Sequence, residues 1–434
     1  MIGIIGGGIS GLSLAYTLEQ QGKPYILLEA RSEVGGVIRS RKEEGKYTLE
    51  LGPNSLLCDQ DMRKRLQKLG LGQDVVEANE VSKDRYIYKQ GKYRRLPSSP
   101  PSLLFNTFFS WKTKWAIFKE RSNKSQSQGH ETLASFFRRR FSKELVDYAL
   151  NPFVAGIYAG DPEKLLIEYT FPQLLAYERE YGSIIKGLIK NKGAGRKQSV
   201  SFKGGMQQLA HRLAQGLNIV LDAPVAPLQR KEIPQDKHLL KTPKGSWEVD
   251  QLVIAAPSNA ASRLLGEIAP DYARATAQVR YAPMAAVHSV FKKKDIGWQP
   301  NGFGGLHPRR EGLFTAGQIW SSSVFSGKCP EDEVLFTSFV GGDQAAENAR
   351  LAEEEIRERV AKELQDLYRI SSPPVYQNSY RWEEALPQYD EALHEVHKPN
   401  PQLQSKNIYI CANWKGGVSV PDCIKKGEEL AEKL

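Results

Sequence analysis

Residues 2–30, IGIIGGGISGLSLAYTLEQQGKPYILLEA, decide the fold. IGII is a short apolar run of buried-strand character, and GGGISG behind it puts Gly6, Gly8 and Gly11 in the spacing G-x-G-x-x-G. SLAYTLEQQG then carries helical spacing, and a second apolar run, YILLE, ends on Glu29. The three glycines do different things. Gly6 makes the turn, Gly8 lets a pyrophosphate reach the backbone, and Gly11 lets the helix pack on the strand. The turn from Gly6 through Gly7, Gly8, Ile9, Ser10 and Gly11 offers the N–H groups of a helix N-terminus to phosphate. Glu29 lies 18 residues after Gly11, close to the roughly 20 at which an acid meets a ribose hydroxyl. A glycine turn without a ligand needs neither the flanking strand and helix nor this acid, so a dinucleotide site is expected.

The rest of the chain narrows the class. With 434 residues, two or three domains are expected. The four cysteines, Cys58, Cys329, Cys411 and Cys423, form no C-x-x-C pair, which suggests neither a disulfide framework nor a zinc site and fits a reducing compartment. The net charge of +10 fits nucleic acid, an anionic membrane or an acidic substrate. No nucleic-acid motif accompanies it and the basic residues are dispersed, so no nucleic-acid partner is expected. No apolar run of about 18 residues is present, so no spanning helix is expected. Nor is an export signal read. A cytoplasmic location follows, with room for peripheral attachment to the inner face of the cell membrane.

EARSEVGG, from Glu29 and Ala30 to the pair Gly35 and Gly36 with Val37 behind it, resembles the E-A-x-x-x-x-G-G extension of FAD-containing amine-oxidase-like flavoproteins. LELGPNS resembles the loop that lies over the flavin in that superfamily, and puts Gly52, Pro53, Asn54 and Ser55 there. SFKGGMQQLAHRLAQ (201–215) resembles the F-x-G-G-M-x-x-L element, and Val225 stands where the family backbone meets adenine. The C-terminal run NIYICANWKGGVSVPDCIKKGEELAEKL reads as strand, glycine turn and helix. The resemblance puts Asn413, Val418, Ser419 and Val420 at the cofactor, with a helix N-terminus facing the isoalloxazine. One departure is Ala412, where the family usually has glycine and where a methyl threatens to crowd the pyrophosphate.

The implied fold is α/β: a Rossmann-like FAD-binding domain of the amine-oxidase-like flavoprotein fold, with an inserted α+β substrate domain and a helical membrane-associated region. The expected borders are 1–80, 197–265 and 396–434 for a discontinuous FAD domain, 81–196 for the helical region, and 266–395 for the α+β domain.

NPFVAGIYAGDPEKL (151–165) has many small residues and no strong helix or strand period, and on its own reads as a tight turn or a place where something approaches the backbone. It closely resembles a segment of the protoporphyrinogen oxidase family of FAD enzymes. So do its lead-in ETLASFFRRRFSKELVDYALN, GFGGLHPRREG (302–312), QIWSSSVFSGKCPEDEVLFTSFVGG (318–342) and EALPQYDEALHE (384–395). With the FAD elements, these matches span nearly the whole chain. The resemblance implies a porphyrinogen substrate, FAD as cofactor and oxygen as reoxidant giving hydrogen peroxide. The implied chemistry is successive hydride transfer to flavin N5. Gly156 is then expected at the macrocycle edge, Arg85 at a propionate, and Leu306 and Phe325 as its apolar contacts. Arginine suits a carboxylate because it grips with two parallel bonds.

No side chain is assigned as catalytic, the flavin carrying the chemistry, and no metal is expected. His288 and His307 read as structural and the H-x-x-H of His394 and His397 as surface; Arg94 and Arg95 read as solvated. A coproporphyrinogen III oxidase and a flavoprotein that binds porphyrin without turnover stay open as alternatives. An amine substrate is disfavoured because MAAVHSVF (284–291) carries no lysine. The stretch 97–121 is aromatic with lysines at 112, 114 and 119; it reads equally as a peripheral membrane contact or as tunnel and core lining. A homodimer is compatible with the chain and is not readable from it.

Overall fold

The computed structural model of the chain describes residues 1–97, 100–191, 197–229 and 237–434. Five parallel strands form one sheet in the order Ile219–Val220, Tyr25–Leu28, Ile2–Ile5, Gln251–Ile254 and Ile408–Ile410. The three central strands read as nearly unbroken apolar runs, as strands buried on both faces must. Helix Ile9–Gln20 follows the first strand, and the C-terminal helix Val420–Ala431 lies against it. Gly427 permits that approach: a Cβ there would stand 2.8 Å from the Leu14 nitrogen and 2.9 Å from the Ser10 carbonyl.

A second sheet of seven strands runs Tyr376–Pro387, Tyr281–Lys292, Glu333–Gly341, Gly317–Ile319, Gly304–Leu306, Arg85–Lys89 and Lys92–Arg95. Along its long strand, side chains alternate between faces. Ala285, Val287 and Phe291 join a core with Ile356, Val360, Leu364 and Tyr368, one face of helix Glu353–Tyr368. Val290, with Leu335, turns the other way and packs on Tyr47, Leu49 and Leu51. That second packing sets strand Tyr47–Glu50, and the loop after it, beside the sheet. Residues 85–95 form a hairpin on this sheet's edge, while helices dominate 100–190.

The structure corrects the reading of 151–165. Asn151–Tyr158 is a helix, continuing a widened turn at Val146–Leu150. Pro152 has no N–H to carry on the i→i−4 ladder, and the widened turn directly before it accommodates that loss. The helix stops at Ala159, which takes the left-handed conformation with φ of 49°.

Candidate functional site

The glycine fingerprint is built as its spacing requires. Gly6 has φ of +112°, and a Cβ on Gly11 would lie 2.0 Å from the Gly6 carbonyl, an impossible contact. At Gly8 a Cβ would meet nothing within 4 Å, so this position opens onto free space at the start of the helix. Leu12 makes the bond to the Gly8 carbonyl, and the N–H groups of the preceding turn have no intrahelical acceptor. This is an open anion cradle, and its geometry fits a pyrophosphate.

Glu29 is buried at the end of its strand. Its carboxylate accepts from the Gly7 N–H at 2.6 Å and the Arg31 N–H at 2.9 Å, so it braces the glycine turn and keeps lone pairs free for a hydroxyl. The Ala223 N–H donates to the Glu29 carbonyl, which brings Val225, two residues on, to the same strand end. Ala30 begins the exposed turn that leads to Gly35 and Gly36. Gly35 donates to the Gly7 carbonyl at 2.8 Å, and a Cβ on Gly36 would stand 3.2 Å from the Gly8 Cα. Gly52 closes onto the same place, its position for a Cβ being 1.9 Å from the Val37 carbonyl. Residues distant in sequence thus make one wall of backbone.

The loop of Pro53, Asn54 and Ser55 is supported by two interactions that sequence patterns do not display. The Trp382 indole donates to the Leu51 carbonyl at 2.7 Å. Beneath it, Glu50 and Lys328 form a buried ion pair at 2.7 Å, and Glu50 also accepts from the Ser40 hydroxyl and the Met206 N–H. The paired residues are 278 positions apart, which is why no local motif could reveal them. Phe325 is buried beside this pair, lining a small pocket with Asn54, Ile319 and Lys328.

At the C-terminal end, Ser419 caps helix Val420–Ala431 in a capping box with Asp422. Val418 immediately precedes the cap. The loop through Asn413 is held by the Tyr389 hydroxyl on the Asn413 carbonyl and by Lys426, whose ammonium donates to the carbonyls of Ala412, Lys415 and Gly417 at 2.6, 2.9 and 3.0 Å. Burial pushes the Lys426 pKa down. Ala412 belongs to the apolar core, as does Trp414, whose indole donates to the Ala256 carbonyl.

A second wall holds three of the four expected substrate contacts. Strand Arg85–Lys89 runs parallel to Gly304–Leu306, with Arg85 opposite Gly304. A Cβ on Gly156 would stand 3.3 Å from Leu306 Cδ2, so helix Asn151–Tyr158 lies directly over that strand. Phe325 does not join them. The Arg85 guanidinium stacks over the Phe303 ring at 4.9 Å and has no carboxylate partner among the described residues. Arg85 is exposed at the strand's start, and crowding by the surrounding protein lowers its pKa. On the adjoining face of the helix and just past its end, Asn151, Ala155, Ala159 and Gly160 line a cavity of about 190 Å³, which Arg309 also lines. Small side chains therefore face both the cavity and Leu306.

His288 and His307 are structural, as their positions suggest. His288 bonds the Glu50 carbonyl at 3.0 Å, and His307 bonds Thr315 and the Tyr93 hydroxyl. Burial pushes each pKa down to about 4, so both rings are neutral. Arg95 pairs with Asp84, and Arg94 donates to Gln90. Strand Tyr281–Lys292 ends on a lysine, but Lys292 is paired with Asp332 and Glu333, each at 2.8 Å.

Of the aromatic stretch, Phe108 and Phe109 are buried with Ile87 and Tyr148, against Leu306. Phe105, Trp111, Trp115 and Phe118 are exposed by 87, 76, 58 and 67%. Among the described residues no helix is long and apolar enough to cross a membrane.

Known proteins bear on this arrangement. A mitochondrial protoporphyrinogen oxidase of Nicotiana tabacum is 30% identical, over 99% of this chain and 94% of that one. A coproporphyrinogen III oxidase of Bacillus subtilis is 26% identical, over 98% of this chain and 96% of its own. A solved structure provisionally named as a protoporphyrinogen oxidase of Exiguobacterium sp. 255-15 superposes with a TM-score of 0.81 at 24% identity, covering 100% of this chain and 98% of that one. The profile for flavin-containing amine oxidoreductases matches residues 9–434. Given that match and the cradle of Gly6, Gly8, Gly11 and Glu29, the chain belongs to the flavin-containing amine oxidoreductase family.

Proposed function

We propose that this chain is an FAD-dependent oxidoreductase that converts protoporphyrinogen IX to protoporphyrin IX. The observation that carries the substrate class is the wall of Gly156, Leu306 and Arg85, which has no carboxylate partner among the described residues. A wide macrocycle with carboxylate arms needs an edge without side chains, an apolar face and a cation with no internal partner. The relatives of nearly full length bearing this name support the same reading.

The cradle would hold FAD through Gly6 to Gly11 and Glu29, with Gly35, Gly36, Val37, Val225 and the 413 and 418–420 positions around it. When bound, FAD supplies the hydride acceptor, and oxygen takes each electron pair away as hydrogen peroxide. Three such two-electron oxidations convert the porphyrinogen to the porphyrin. Arg85 would orient the substrate through a propionate, and Arg309, which lines the cavity, offers a second cation for another. The Glu50–Lys328 pair would hold the 52–55 loop in one position, so that approach distance is set before substrate arrives. His288 and His307, neutral and engaged, are not bases here.

We assign 1–80, 197–265 and 396–434 to the cofactor unit and the remainder to substrate. Peripheral membrane contact through Phe105, Trp111, Trp115 and Phe118 belongs to the same reading: stacked aromatics beside Lys119 suit a lipid interface. It would deliver a poorly soluble product to lipid.

The test is anaerobic mixing of the flavin-loaded protein with protoporphyrinogen IX, following flavin absorbance and porphyrin fluorescence. Bleaching with rising fluorescence is expected. A flavin that stays yellow with this substrate and with coproporphyrinogen III would overturn the oxidase reading. The Bacillus subtilis relative favours coproporphyrinogen as a second reading, and faster bleaching by that substrate would establish it.

A further inference from the structure

Three chain segments bring His130, Glu168 and His394 together. Their ligand atoms all lie within 4.8 Å of one another. His130 Nδ1 is 3.1 Å from Glu168 Oε1, against the roughly 3.3 Å that separates two ligands on one tetrahedral zinc. The rings of His130 and His394 meet edge to face at 4.6 Å. The scaffold is held by backbone bonds: the Ile167 N–H donates to the Glu131 carbonyl at 3.0 Å, and the Leu166 N–H to the Tyr389 carbonyl at 2.9 Å. His130 adopts φ of +47°, a left-handed conformation that the surrounding turn fixes. The Tyr169 hydroxyl lies 3.1 Å from His394 Nδ1, leaving Nε2 as that ring's free nitrogen. Such a partner on the second nitrogen is what orients a metal-bound imidazole.

We infer that His130, Glu168 and His394 form a site for a zinc-like divalent cation, outside the cofactor and substrate walls. Two imidazoles and one carboxylate suit zinc rather than calcium or magnesium, which take oxygen ligands. Three protein ligands at a half-exposed position leave the fourth for water. A bound ion would tie the start of helix Leu133–Arg140 and helix Ile167–Thr170 to helix Leu393–His397, which ends eleven residues before the cofactor-facing C-terminal strand Ile408–Ile410. The competing account is an ordinary surface ion pair between His130 and Glu168.

The test uses untagged, flavin-loaded full-length protein, stripped with a chelator and desalted. Zinc is titrated against a chromophoric chelator, and cobalt is followed by its visible ligand-field absorption. One zinc per chain is expected, with affinity falling at least about 100-fold in His394→Ala and in Glu168→Gln, and about 10- to 100-fold in Tyr169→Phe. Flavin absorbance, measured on each variant, reports that the fold is intact. His130→Gln, at the most exposed ligand, supplies the check if another variant loses flavin. Wild-type protein that binds no zinc, or binds it no better than His130→Gln, would overturn the site.

Discussion

Arg85 offers the most direct measurement of the substrate reading. In Arg85→Ala both bonds to a propionate are lost, and in Arg85→Lys one is kept. A hydrogen bond to a charged group contributes about 1.5–3 kcal/mol, and the pair is not fully additive, so Arg85→Ala should lose about 3 kcal/mol of binding. That is about 150-fold in kcat/KM, while Arg85→Lys should lose about tenfold. The loss should fall on KM, because the propionate is far from the reacting carbon and is held equally before and during reaction. Arg85 has no carboxylate partner among the described residues and stacks on Phe303, so folding stability should stay within about 0.5 kcal/mol. The assay is steady-state porphyrin fluorescence on protoporphyrinogen and on its dimethyl ester, which has no carboxylate. Wild type and Arg85→Ala should treat the ester alike. If Arg85→Ala loses the same factor on the ester, or keeps kcat/KM on the acid within about threefold, the arginine does not grip a propionate.

Gly11→Ala drives a Cβ into the Gly6 carbonyl, so the purified protein should contain little FAD, read from its absorbance. Lys328→Met leaves Glu50 buried without its cation, which should cost about 3–5 kcal/mol, while the double change with Glu50→Gln should recover much of it; thermal release of flavin measures both. His288 and His307 bind protons in the unfolded chain near pH 6.5 but in the fold only near 4. The stability they leave intact above pH 6.5 should therefore be lost as pH falls toward 4, by up to about 3 kcal/mol each, and a His307→Asn variant should show a shallower fall in Tm. Trp115→Ser with Phe118→Ser should reduce co-flotation with anionic vesicles without changing the flavin spectrum; unchanged flotation would rule out lipid contact by this face.

Local spacing made the cofactor wall legible. Gly6, Gly11, Gly35, Gly36 and Gly52 are demanded by backbone contacts within or between short motifs, and a motif records such demands. Helix Asn151–Tyr158 was hidden because Gly156, Ala155 and Pro152 together give no clear helical pattern, and packing over Leu306 and the Val146–Leu150 turn overrides the adverse preferences of the glycine and proline. A structural role for His288 and His307 could be read from the sequence, whereas their partners and their neutral state could not. The Glu50–Lys328 pair and the three carbonyls under Lys426 depend on how distant segments meet, and nothing in residue type or spacing announces them. The aromatic stretch divided by face: Phe108 and Phe109 went inside, and Trp111, Trp115 and Phe118 outside.

The parallel sheet has its two central partners at residues 2–5 and 251–254, and one of its edges at 408–410. During synthesis the first strand leaves the ribosome some 250 residues before one of its two neighbours and 400 before the edge exists. At about 5–20 residues per second, the nascent chain spends roughly 20–80 seconds with an incomplete nucleotide pocket. Its apolar strands are exposed over that interval, and pairings this distant close slowly. Overproduction in a cell poor in riboflavin should therefore give aggregate rather than apoprotein. Supplying the vitamin early in induction should raise soluble yield more than supplying it at harvest.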